Sequence, residues 1–241
     1  MRHLLNSTLV ERQKAVDRFI SSWIEAYSGR GGQIFCGKGC KNCCTLAVNC
    51  TFPEALLIAA SLDDEQKSRV AAHAARTRSL IPEMTDLKSF LKLHRQEIGI
   101  CPLLNGSGEC GIYPIRPFSC RSLLATKESS WCAADFSLLS QAEKIEFMES
   151  LDREVVAFPM HYVAATQEYA QESESLTMSD MAETCGFSLY GNLPVLLHLE
   201  RTCLLSEVVL QGHDATVELL ESQGVNSPLI VMIEESGPPP S

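Results

Sequence analysis

The 241-residue chain is predicted to be mainly α-helical, with a small irregular cysteine-rich region containing a short hairpin and no parallel sheet. Three observations carry this expectation. Apolar residues recur at helical spacing over most of the chain. Strand-like runs are too few to build a series of βαβ units. Eleven cysteines are present, nine of them between residues 36 and 132. With 45% hydrophobic and 21% charged residues, the chain has enough apolar side chains for a core and is neither disordered nor fibrous.

The elements follow in order. Residues 7–28 read as an amphipathic helix, with Leu9, Val16, Phe19, Ile20, Trp23, Ile24 and Tyr27 on one face. Asn6 or Ser7 is the expected cap, and Gly29, Gly31 and Gly32 the stop. Residues 33–50 lack that period and end in a short extended piece at 45–50. Thr51 and Glu54 form a capping-box signature with Pro53 in the first turn, so a helix should run to about Leu62. Further helices are expected over 64–79 and 84–98. Asn105-Gly106 between apolar flanks signals a hairpin, and Pro102, Pro114 and Pro117 exclude a helix interior. Helices are expected near 138–150, 151–173, 194–211 and 214–223, with a break at 186–194 and one short strand at 228–233. The implied organisation is an N-terminal helix (1–32), a cysteine-cluster domain with a helical insert (33–136), a helical C-terminal region (137–230) and a tail (231–241).

Charge and compartment narrow the function classes. The net charge is −10, divided as +5 over residues 1–130 and −15 over 131–241. An acidic half disfavours nonspecific nucleic-acid binding, although it could dock a basic protein partner. No secretory signal and no apolar run of membrane-spanning length is expected, which places the chain in the cytoplasm with no membrane partner. Thiols stay reduced there, and an odd count of eleven prevents full pairing. Cations near the first cluster, Arg30, Lys38 and Lys41, favour thiolates.

The cysteines form two clusters. The first, CGKGCKNCC, places Cys36, Cys40, Cys43 and Cys44 in a C-x3-C-x2-C-C array. Gly37 and Gly39 permit a tight turn and leave amides able to bond sulfur. The second runs from Cys101 through Cys110 to Cys120 and Arg121, and Cys132 follows. No histidine lies within either cluster, because His73 and His94 fall on helices between them. An all-sulfur site results, suited to Zn²⁺ or an iron–sulfur cluster and not to magnesium or calcium. More sulfurs than the four of one zinc site tilt the expectation towards iron–sulfur. Cys185 and Cys203 read as core, Cys50 as core or a further possible ligand, and His161, His198 and His213 show no ligand spacing.

CGKGCKNCC, followed after an insert by CPLL and then CGIYPIRPFSCR, resembles the YkgJ-type cysteine-cluster family, also written CxxCxxCC. The resemblance spans residues 36–132 and implies a zinc- or iron-chelating domain. The ligands it implies are Cys36, Cys40, Cys43, Cys44, Cys101, Cys110 and Cys120, with Cys132 as an eighth candidate. The first spacing here is one residue longer than the namesake pattern. Some relatives are flagellin lysine N-methylases and others are called ferredoxin-like, so the expected role is redox or electron transfer, with protein modification or a structural zinc interaction module as alternatives. Cys36, Cys40 and Cys43 also match the spacing of the radical S-adenosylmethionine triad, but the strand–helix repeats of that barrel are missing. Beside the cysteines, Tyr113 is expected to pack over the site, and Arg116 and Arg121 to offset thiolate charge.

Overall fold

The computed structural model describes residues 2–37 and 39–235, with side chains from residue 7 onward. Met1, Lys38 and residues 236–241 of the expected tail lie outside the described residues. Eleven α-helices are described: α1 (Arg2–Ser28), α2 (Phe52–Ala59), α3 (Asp64–Leu80), α4 (Leu87–Leu93), α5 (Phe118–Ser122), α6 (Ser130–Ala133), α7 (Gln141–Glu149), α8 (Ala164–Cys185), α9 (Leu193–Cys203), α10 (Leu205–Val209) and α11 (His213–Ser222). One antiparallel sheet has the order β1-β2-β3, from β1 (Asn49–Thr51), β2 (Phe187–Asn192) and β3 (Val231–Glu235). The mainly α expectation without a parallel sheet holds. Among the described residues, no helix is long and apolar enough to cross a membrane.

Local chemistry explains the best-defined starts and stops. Thr51 and Glu54 close the expected capping box on α2, and Asp63 with Gln66 does the same for α3. Ser140 and Glu143 cap α7. A single π turn, His94–Ile98, extends α4 and ends at Gly99 with φ +91°. Helix α1 starts at Arg2, upstream of the expected caps Asn6 and Ser7.

Three expectations change in the second half. The helix expected over 151–173 begins only at Ala164, because Pro159 offers no amide and biases Phe158 away from helical angles. Isolated bridges, Ala125 with Tyr162 and Val156 with Val163, occupy the segment before it. The expected break at 186–194 contains β2, the central strand of the sheet. Strand β3, residues 231–235, lies on its far side; it overlaps the strand expected at 228–233 and runs on into the expected tail. Cys50 pairs with Gly191, and Gly191 with Val231. A Cβ on Gly191 would lie 2.5 Å from the Ile230 carbonyl, so only glycine allows β3 to approach so closely.

The main core joins both halves of the chain. Ile58, Val70, Phe90 and Leu103 pack with Phe187, Leu189, Leu196 and Leu197. A second cluster seats α1 on α5 and α8 through Leu9, Val16, Ile20, Phe118 and Ala170. Arg12 reinforces it with two bonds to the Asp180 carboxylate, at 2.6 and 3.1 Å.

Candidate metal centre

Each cysteine is placed by a backbone device. The 33–36 loop pairs with residues 123–125: the Phe35 amide donates to the Ala125 carbonyl at 2.9 Å, and the Ala125 amide donates to Cys36 Sγ at 3.1 Å. A tight turn closes when the Cys40 amide donates to Gly37. A 3₁₀ turn, Asn42–Thr45, presents Cys43 and Cys44. The second segment is stitched to it where the Cys101 amide donates to the Cys44 carbonyl at 2.9 Å. The expected hairpin forms as one bridge, Leu104 with Cys110, closed by the Asn105 amide on Glu109. Buried Glu54 accepts the Phe118 amide at 2.7 Å and so orients α5, which carries Cys120. Helix α6 carries Cys132, and Asn42 Nδ2 donates to Ser129 Oγ beside it at 3.0 Å.

Cys43 is the hub of the thiols. A hydrogen bond with Cys44, followed by burial, pushes its pKa far above the ordinary thiol value. The charge of Cys43 acts on Cys36, Cys132, Cys101, Cys110 and Cys120, and Cys40 acts on Cys36 and Cys132. Burial raises every shifted member, Cys101 and Cys132 each to about 11. Opposing this, the Leu103 amide bonds Cys101 and the Ile112 amide bonds Cys110, each from two residues on. Arg116 acts in the same direction on Cys36, Cys43, Cys110 and Cys120. Buried sulfurs supplied with amide donors and one guanidinium are chemically suited to a thiolate-bound cation, whose charge would reverse the effect of burial. The donor set therefore fits zinc or iron. Among the described residues, no three His, Cys, Asp or Glu side chains converge closely enough to hold a metal ion in this arrangement.

Two companions differ from expectation. Tyr113 is exposed and stacks on Arg116, whose guanidinium carbon is 3.8 Å from the ring centre. Arg121 is spent on structure: it donates to Asp17 at 2.5 Å and to the carbonyls of Pro114 and Arg116. Its buried guanidinium locks the 114–121 turn onto α1. Cys50, open between core and ligand in the sequence, lies fully buried in β1 and packs in the main core.

His161 was not legible as a site residue. Its Nε2 lies 3.3 Å from Cys132 Sγ, and its ring is buried. The Tyr162 hydroxyl also bonds Cys132. No ligand-type spacing links residues 132 and 161. The only local signal is Pro159, which interrupts the helical pattern just before them.

Residues 35–148 match the CxxCxxCC family model. Its description is "Putative zinc- or iron-chelating domain". No curated protein and no solved structure matches the chain. The match to the CxxCxxCC domain covers all eight candidate cysteines and leaves His161 and the whole of α8 to β3 outside it.

Proposed function

We propose that this CxxCxxCC domain holds an iron–sulfur centre through thiolates drawn from Cys36, Cys40, Cys43, Cys44, Cys101, Cys110, Cys120 and Cys132, and that the protein uses it to carry electrons or to sense oxidants. The observation that carries the reading is that five other thiols, Cys36, Cys132, Cys101, Cys110 and Cys120, lie near enough to Cys43 to feel its charge. The number of sulfurs exceeds what one tetrahedral zinc needs. A bound cluster would supply one-electron chemistry at a potential set by its hydrogen bonds and its burial. The chain's own contribution is the amides of Ala125, Leu103 and Ile112 on Cys36, Cys101 and Cys110, and the guanidinium of Arg116. Each stabilises sulfur-centred negative charge and limits exposure of the thiols to water.

The test is purification without air, followed by metal and sulfide analysis and a visible spectrum. Iron with acid-labile sulfide and a sulfur-to-iron charge-transfer band is the expected result. Stoichiometric zinc without that band overturns the iron–sulfur reading and leaves a structural zinc site. The Cys132–His161 contact favours that second reading, since mixed sulfur and imidazole donors suit zinc. His161→Phe separates the two. A zinc site using His161 loses metal, and an all-sulfur cluster keeps its iron.

A further inference from the structure

Backbone amides serve Cys36, Cys101 and Cys110, whereas Cys132 is met by two side chains. His161 Nε2 lies 3.3 Å from Cys132 Sγ, and the Tyr162 hydroxyl bonds the same atom. Both residues lie beyond the family match, which ends at residue 148. Cys132, His161 and Tyr162 are each at most 6% exposed, so water does not take the place of either partner.

The chain fixes this arrangement from two sides. Residues 124–126 run between the first cysteine loop and the 161–163 segment. On one side the Ala125 amide donates to Cys36 Sγ, and its carbonyl accepts the Phe35 amide. On the other, Ala125 bridges Tyr162, and the Thr126 amide and hydroxyl both donate to the His161 carbonyl at 3.0 Å. The Val163 amide donates to the Leu124 carbonyl, also at 3.0 Å. Ring contacts hold the imidazole. Phe147 stands edge-on to it at 5.8 Å, and Tyr162 lies against it at 4.3 Å. Phe147 packs in turn at 4.5 Å on Trp131, the neighbour of Cys132. The imidazole cannot swing off the sulfur without opening that aromatic cluster, which is the locked placement a tuning group needs.

The direction of the bonds follows from the chemistry of the sulfur. A metal-bound thiolate has no proton to give, so with Cys132 ligated the Nε2–H and the phenol O–H donate and the sulfur accepts. Hydrogen bonds to an ionised acceptor are roughly twice as strong as neutral ones. Adding an electron to a thiolate-held centre increases the negative charge on its sulfurs, so donors at this position favour the reduced state.

We infer that His161 and Tyr162 are positioning residues for Cys132: they donate to its thiolate and raise the reduction potential of the centre that Cys132 helps to hold. The inference rests on the reading of that centre as iron–sulfur. One electron from an external reductant takes iron from ferric to ferrous, and neither donor gives up its proton.

The test is a dithionite titration of the full chain purified without air, with the potential read from the visible spectrum against redox dyes. Iron and sulfide are measured on the same samples. Tyr162→Phe and His161→Phe should keep both at the parental level. Each should lower the reduction equilibrium about tenfold, about 59 mV for a one-electron couple. His161→Gln, whose side-chain amide can donate, should recover most of that loss. An unchanged potential in Tyr162→Phe or in His161→Phe removes that residue from the role. Loss of iron from His161→Phe makes the imidazole a ligand and overturns the inference for it. A potential in His161→Gln as low as in His161→Phe also overturns it, because shape and not donation would then be what matters. Zinc in the parental protein overturns the iron–sulfur reading and leaves the hydrogen bonds to be judged by chelator competition. Tyr162→Phe should then hold zinc about 10–100-fold less tightly, and equal affinity overturns the role of Tyr162.

Discussion

The two ends of the fold are stabilised by different means. From α8 to α10 the chain contributes Met181, Phe187, Leu189, Leu193, Leu196, Leu197, Leu199 and Leu205 to its largest fully buried side chains. The 33–48 segment contributes none among its described residues, and the 101–136 segment only Leu103 and Phe118. Where the second region buries leucine, the first presents sulfur on short turns, with Cys40 exposed and most other thiols half-buried. A packed core is stable by itself because burial of apolar surface offsets chain entropy. A loop of thiols lacks that gain and needs another source of order, which a bound metal supplies through coupled binding and folding.

The largest expected effect breaks the comparison directly. Removing metal with a chelator should abolish amide protection in 33–48 and 101–136 while 187–203 stays protected, as read by hydrogen exchange. Metal binding by thiolate sites is worth on the order of 10 kcal/mol, enough to hold such a segment folded. Cys110→Ser and Cys40→Ser should each reproduce part of this loss and lower the metal content. Uniform loss of protection across both regions would show one cooperative unit, and no loss would mean that the cysteines are ordered without metal.

The converse change attacks the second region. Leu197→Ala, at a fully buried position of α9, should cost about 2–5 kcal/mol in unfolding experiments by the usual cavity and transfer contributions. Metal content of the folded variant should stay at the parental level. A proportional fall in metal content would show that the sulfur loops depend on the leucine core, through residues such as Leu103 that pack in it.

The same contrast decides what was legible in the sequence. Capping chemistry is local, so Thr51 with Glu54 marked the start of α2 without tertiary information. The cysteine spacing likewise exposed the candidate ligands, because one loop must bring its own sulfurs together. Strand β2 was hidden because it is buried on both faces. Its sequence, FSLYGN, therefore lacks the alternation of a half-exposed strand. The segment 151–163 misled in the other direction: Leu151, Val155 and Phe158 recur at helical spacing, but Pro159 and the bridges to residues 125 and 156 govern the backbone. The contact of His161 with Cys132 joins residues 29 apart, which no local spacing encodes.

The smallest effect concerns the seam between the regions. Glu174 on α8 faces Glu54, Cys50 and Tyr190 and accepts the Ser119 amide, and its Oε1 has no partner among the described residues. Burial, then the charge of Glu54, raises its pKa to about 8 from 4.5. Glu54 is raised in the same direction by burial. Between these values the folded chain binds a proton that the unfolded chain has released, so stability falls as pH rises from about 4.5 towards 8. Glu174→Gln keeps the shape and removes the charge. It should therefore stabilise the protein at pH 8 by about 1–3 kcal/mol, less than the full shift implies because Glu54 shares the titration. The gain should shrink to near zero at pH 5, where the native carboxyl is already protonated. Urea unfolding at the two pH values measures it, and an equal effect at both would place Glu174 in contact with water.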